Sequence, residues 1–281
     1  MRNSKRLKST FIPGSEWLYI KIYCGVSVSN EILISKIKPI TEKLTAENKI
    51  THWFFVRYAD PENHLRVRFH LTYDKYFYDV VSLINKSLKV EVENKIVWKT
   101  TIDTYIRELN RYGHKTIEEI ELFFYYDSIH FLELLESLKN EKYIFIELFK
   151  WIEFIVSQFE INDDELIIFL NSNQQKFKEE FHVNKRIKKE LGFKYNDIIK
   201  NKIDKHHTTF LRKDYISNVI KSLKEINSNN EKKENLHRIL SGLIHMSVNR
   251  LFSNNQRLYE MVIYDFLYKK SKTNFIRYGK I

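Results

Sequence analysis

The chain has 281 residues, 43% hydrophobic and 15% aromatic, which is enough apolar material for a sizeable core. Six glycines and three prolines fall well below the usual roughly 7% and 5%, so few breakers interrupt the chain and a helix-rich fold with short connections is expected. A net charge of +11 permits an acidic partner, whereas the lone Cys24 excludes an internal disulfide, no CxxC or HExxH spacing offers a metal site, and no run approaches the roughly 20 apolar residues that span a bilayer.

The basic start, residues 1–10, leads into no apolar stretch of signal-peptide type and reads as a frayed tail. A cytoplasmic location without integral membrane association is therefore expected. Residues 17–24 alternate, are rich in aromatic and β-branched types, and end at Gly25, which predicts a strand. Asn30 is placed to cap a helix over 31–47, where Ile32, Ile34, Ile37, Ile40 and Leu44 follow near-helical spacing and Pro39 marks a bend or a division into two pieces. Strands at 53–58 and 65–72, joined by the turn formers Asp60-Pro61 and Asn63, predict a hairpin. Asp74 is placed to cap a second helix through Leu88, and a fourth strand is expected over 97–105.

Strand, helix, strand, strand, helix, strand is the ferredoxin-like split βαβ order. Beyond it, apolar residues recur every three to four positions over 116–137, 143–159, 163–181, 213–226, 233–252 and 256–270, with a surface loop at 227–230. One compact α+β unit over 1–281 is expected, with a ferredoxin-like α/β subregion at 13–112 and a mainly helical subregion at 113–275.

Five arginines in two short runs are the most informative residues: Arg57, Arg66 and Arg68 in the hairpin, Arg107 and Arg111 after the fourth strand. Strand alternation puts Arg66 and Arg68 on one face and Leu65, Val67 and Phe69 on the other. Two guanidiniums so placed suit a carboxylate or phosphate, although an ordinary solvated face would carry the same pattern. Glu108 and Arg111 share a face if a helical turn starts there, as do many weak surface pairs. His245 lies on an apolar helix behind Gly242, where histidine is either a satisfied core residue or a proton-transfer group. The adjacent His206 and His207 project apart and read as loop surface. Phe123, Phe124, Tyr125 and Tyr126 are consecutive, which suits core and interface more than base stacking. No Gly-rich phosphate loop and no GxSxG elbow is present.

Several stretches occur together in a recognisable order: Pro13-Gly14-Ser15-Glu16-Trp17-Leu18-Tyr19, the hairpin with Trp53-Phe54-Phe55-Val56-Arg57-Tyr58 and His64-Leu65-Arg66-Val67-Arg68-Phe69, Asp103-Thr104-Tyr105 through Tyr112-Gly113, Asp127-Ser128, and His245-Met246 through Asn249-Arg250-Leu251-Phe252. Over residues 13–270 the chain resembles the C-terminal elimination domain of lantibiotic dehydratases, also called the thiopeptide-type bacteriocin biosynthesis domain. The resemblance implies a lyase that removes glutamate from glutamylated Ser or Thr of a ribosomal precursor peptide, leaving dehydroalanine or dehydrobutyrine. It implies no cofactor. By that resemblance Arg66, Arg68, Glu108, Arg111 and His245 match the family's elimination motifs; Arg68, Arg111, His245 and Glu108 are expected to be catalytic, and Arg66, Arg57 and Arg107 to bind substrate.

The large N-terminal glutamylation part of full-length members is not found in this sequence, so a stand-alone partner of a split system is expected. Its partners would be the glutamylated precursor peptide and a separate glutamylation subunit, and direct tRNA binding is not expected. Two other functions stay open: pyridine synthesis by aza-cycloaddition of two dehydroalanines, as in related thiopeptide proteins, and non-catalytic binding of the precursor peptide.

Overall fold

The computed structural model describes residues 7–200, 212–228 and 234–278. Its strands are β1 (Thr10–Phe11), β2 (Trp17–Cys24), β3 (Ile50–Ala59), β4 (Asn63–Leu71), β5 (Val97–Asp103) and β6 (Tyr105–Ile106). β2 to β5 form one antiparallel sheet in the order β3-β4-β2-β5, while β1 pairs with β6 separately. The four-stranded order is that of the expected ferredoxin-like unit.

One face of this sheet is apolar because alternate residues of its strands are. Ile20 and Ile22 of β2, Phe55 of β3, and Leu65, Val67 and Phe69 of β4 pack against α1 (Ser29–Ile32), α2 (Lys38–Ala46) and α3 (Phe77–Glu93). The other face meets the helical half at Tyr19, Phe54 and Phe124. That half comprises α4 (Leu109–Tyr112), α5 (Ile117–Ser137), α6 (Glu141–Gln158), α7 (Asp163–Glu180), α8 (Lys185–Lys200), α9 (Lys213–Ser228), α10 (Glu234–Leu251) and α11 (Gln256–Tyr278). The structure is thus α+β, as expected.

Several boundaries differ from expectation for physical reasons. The helix predicted over 31–47 starts at Ser29 and is interrupted by a π-turn at Leu33–Ile37, where Lys38 N–H bonds back to Leu33 O. Pro39 follows immediately; it has no N–H to continue the ordinary ladder. Asn30 does not cap this helix, since its Oδ1 instead accepts from Arg57 Nη2 at 2.6 Å. Asp74 opens a short 3-10 turn at Asp74–Tyr76 rather than capping α3, which runs on past Leu88. The fourth strand splits at Thr104, so Tyr105–Ile106 pairs with Thr10–Phe11, which draws the end of the expected tail into a strand. Helix α8 was not expected at all. Asn227 and Ser228 belong to α9, while His206, His207, Asn229 and Asn230 lie outside the described residues.

Strand β3 is an edge of the sheet, and side chains from two helices cover it. Phe55 N–H donates to Ser128 Oγ of α5 at 3.3 Å. Arg57 N–H donates to Asn249 Oδ1 of α10, and Asn249 Nδ2 returns a bond to Arg57 O, both at 2.9 Å. Beneath this cover, Asp127 of α5 accepts from Arg250 Nη1 at 3.0 Å, Ser247 Oγ at 2.9 Å and Trp151 Nε1 at 2.8 Å. These polar links fix α10, and His245 with it, against the sheet edge.

Candidate active site

The hairpin register decides which arginines face together. Arg66 stands opposite Lys21 on β2 and Val56 on β3, and Arg68 stands opposite Tyr19 and Phe54. Directly opposed residues share a face, so both guanidiniums lie on the face turned towards the helical half, opposite Leu65, Val67 and Phe69, as expected. Arg68 is only 9% exposed, yet no carboxylate pairs with it among the described residues. Its charge lies instead against aromatic rings, 4.5 Å from Tyr19, 4.8 Å from Tyr105 and 5.2 Å from Phe54, and its Nε has no acceptor. Burial pushes the Tyr19 hydroxyl's pKa up, while Arg68, Arg66 and Lys21 pull it back, an effect of three cations gathered on one patch.

Arg66 stacks 3.3 Å above the Tyr58 ring, and its Nε donates to His64 Nε2 at 3.1 Å. That bond requires a neutral His64 whose Nδ1–H donates to Glu62 O at 2.8 Å; burial keeps its pKa below the usual value, in agreement. Lys21 is engaged by Asp103 at 2.5 Å, a hydrogen bond that raises the lysine's pKa.

The turn predicted around Glu108 forms. Arg111 N–H and Tyr112 N–H bond to Glu108 O, Gly113 leaves at φ +85°, and Arg111 Nη1 stands 3.7 Å from Glu108 Oε2. The Tyr112 ring, 5.3 Å from the Arg111 guanidinium, packs onto α10 at Gly242. A Cβ there would sit 2.7 Å from Tyr112 Cε1, so only glycine allows this approach. Arg111 is thereby carried to the helix that bears His245.

His245 lines a cavity of about 310 Å³ between α10, the start of α1 and the hairpin tip. Arg57, Tyr58, His64 and Asn249 also line it, and no Asp or Glu does. Arg66 lies just behind the wall through its contacts with Tyr58 and His64. His245 is not a sealed core residue: its side chain is 30% exposed, and Nδ1 lies 3.0 Å from Glu260 Oε2. The Tyr264 hydroxyl feels both Glu260 and Arg111, so the α4 turn and the His245 pair border the same region.

The remaining two arginines are placed differently. Arg57 is opposite Leu65, hence on the other side of the hairpin from Arg66 and Arg68, and reaches the cavity at the strand edge. Its guanidinium donates to Ser29 Oγ at 2.7 Å, Asn30 Oδ1 at 2.6 Å and Arg250 O at 3.0 Å, all neutral, and burial pulls its pKa down to about 10. Arg107 is not brought to the group. Its Nε and Nη2 grip Glu121 at 2.8 and 2.6 Å, and Nη1 donates to Lys8 O. Because Glu121 also accepts from Tyr105 at 2.7 Å, Arg107 supports the ring on which Arg68 rests. Sequence reasoning missed Tyr58, His64 and Glu260. His64 was within reach, since it precedes Arg66 in the same alternation; Glu260 offers no spacing signal, being on another helix.

Comparison with known proteins finds relatives over most of the chain. The subtilin biosynthesis protein SpaB of Bacillus subtilis is 25% identical over 285 residues, covering 92% of this chain and 26% of SpaB. The nisin biosynthesis protein NisB of Lactococcus lactis subsp. lactis is 33% identical over 132 residues, covering 46% of this chain and 13% of NisB. The chain thus spans about a quarter or less of these relatives' length. Among solved structures, the tRNA-dependent lantibiotic dehydratase MibB from Microbispora sp. 107891 aligns with a TM-score of 0.69 at 15% identity, over 94% of this chain and 29% of MibB. The pyridine synthase TbtD from thiomuracin biosynthesis aligns at 0.62 and 10% identity, over 94% of this chain and all of TbtD; at such identities the likeness is one of fold. Residues 17–271 match the family described as lantibiotic biosynthesis dehydratase C-term, and the chain belongs to that family.

Proposed function

We propose that this chain catalyses β-elimination of glutamate from glutamylated Ser or Thr of a ribosomal precursor peptide. The observation that supports this reading is that Arg66 and Arg68 rest on aromatic rings without carboxylate partners among the described residues, while Tyr58 and His64, which hold Arg66, share a cavity with His245, whose ring is held by a carboxylate. Elimination needs both parts. His245 takes the peptide α-proton on Nε2; the released electron pair forms the Cα–Cβ double bond, the Cβ–O bond breaks, and glutamate departs as a carboxylate. Arg66 and Arg68 stabilise the enolate-like charge and the departing carboxylate, and Glu108 orients Arg111 towards the same charge. Arg57 adds positive charge to the cavity wall, and Arg107 acts through Glu121 and Tyr105 as a support.

The glutamyl ester is made by a glutamylating activity outside these 281 residues, and no step is assigned here to tRNA. A second reading draws on the alignment over the whole of TbtD: aza-cycloaddition of two dehydroalanines. Such a reaction expels no glutamate and gives the unpaired arginines less to do. Mass spectrometry of a glutamylated precursor peptide, and separately of a bis-dehydroalanine peptide, tests the two. Loss of glutamate from the first supports elimination. An unchanged ester with cyclisation of the second favours pyridine synthesis, and tight binding of the peptide with no turnover of either favours a binding subunit.

A further inference from the structure

Resting on the reading of His245 as the proton acceptor, we propose that Glu260 of α11 is its positioning residue and fixes which ring nitrogen receives the proton. Glu260 is 5% exposed, and its Oε2 lies 3.0 Å from His245 Nδ1. A carboxylate oxygen at that distance is an acceptor, so Nδ1 carries the hydrogen and the lone pair is left on Nε2, the nitrogen free to face the cavity. The same Oε2 accepts from Arg257 Nη1 at 3.0 Å, and Arg257 in turn grips Glu180 of α7 through Nη2 at 2.5 Å and Nε at 3.2 Å. The chain His245, Glu260, Arg257, Glu180 thus runs from the cavity to the surface, where Arg257 and Glu180 are half exposed.

Each link has a physical task. Arg257 offsets the electrostatic cost of burying the Glu260 carboxylate beside the imidazole. The ionised Glu260 holds one tautomer in the ground state and stabilises the imidazolium once the α-proton has moved to Nε2. Neither Glu260 nor Arg257 lines the cavity, so both act through His245 and not on substrate.

The test uses the full chain with Glu260→Gln, Glu260→Asp and His245→Phe. Nitrogen-15 NMR of the resting protein should show His245 as a single Nδ1–H tautomer, which Glu260→Gln converts to a mixture and Glu260→Asp largely preserves. Elimination from a glutamylated peptide should fall about 10- to 100-fold in kcat for Glu260→Gln with KM little changed, and recover in part in Glu260→Asp. A Glu260→Gln protein that keeps the single tautomer and eliminates within twofold of wild type overturns the proposal. The tautomer measurement needs no turnover, so it distinguishes this failure from failure of the His245 assignment, which would appear as normal elimination by His245→Phe.

Discussion

Two sets of arginines in this molecule have opposite surroundings. Arg250 and Arg107 are matched to acids, Asp127 and Glu121, through 3.0 and 2.6 Å contacts, and tie helices to the sheet. Arg66 and Arg68 are matched to rings, Tyr58 for one and Tyr19, Tyr105 and Phe54 for the other, and have no acid among the described residues. A buried cation with its own carboxylate is satisfied within the fold, whereas one on aromatic faces keeps its hydrogen-bonding fork for an anion that arrives. The first set makes the frame, and the second is the one the proposed elimination uses.

The comparison breaks most readily at Asp127. Asp127→Ala leaves Arg250 buried without its charge partner and should cost about 3–5 kcal/mol in urea unfolding. Acid should weaken the same frame. Burial pushes the pKa of His52 and His130 down to about 3, so unfolded chains take up these protons near pH 6.5 while the folded protein does not. Their stability contribution is complete above about pH 6.5 and is lost as pH falls towards 3, about 2 kcal/mol for each residue by pH 5. Urea midpoints at pH 7 and pH 5 check this. Protonation of His64, which burial defers to more acid solution than for a free imidazole, removes the acceptor that holds Arg66, so elimination should decline with acid.

Gly242→Ala should cost about 1–3 kcal/mol, because its methyl group must displace the Tyr112 ring and, with it, the turn that carries Arg111. The smallest stability effect belongs to the site: Arg68→Met keeps much of the packing and should shift unfolding by less than about 1 kcal/mol. An equal loss of stability in Arg68→Met and Asp127→Ala would erase the distinction between frame and site.

Much of the frame was legible because strands announce their faces. Alternation around Arg66 and Arg68 was enough to put both on one side, and the order of elements was enough for the sheet. The three-residue spacing of Glu108 and Arg111 likewise anticipated their contact. Elements of two residues carry no period, which hid the pairing of Thr10–Phe11 with Tyr105–Ile106. Helix α8 was legible and was passed over: Ile187, Leu191, Tyr195 and Ile198 recur every three to four residues among its lysines and all pack on the core. The carboxylate partners of Arg107, Arg250 and His245 come from other helices, 14, 123 and 15 residues away, and such separations leave no trace in a single sequence. For that reason Arg107 and Arg68 looked alike until their surroundings were known.

The most direct measurement is single-turnover release of glutamate from a glutamylated precursor peptide by wild type and Arg68→Met, with urea unfolding of both. The arrangement of Arg68 predicts release slowed on the order of 100- to 1,000-fold in a protein that unfolds at nearly the same midpoint. Release at the wild-type rate by Arg68→Met would contradict it.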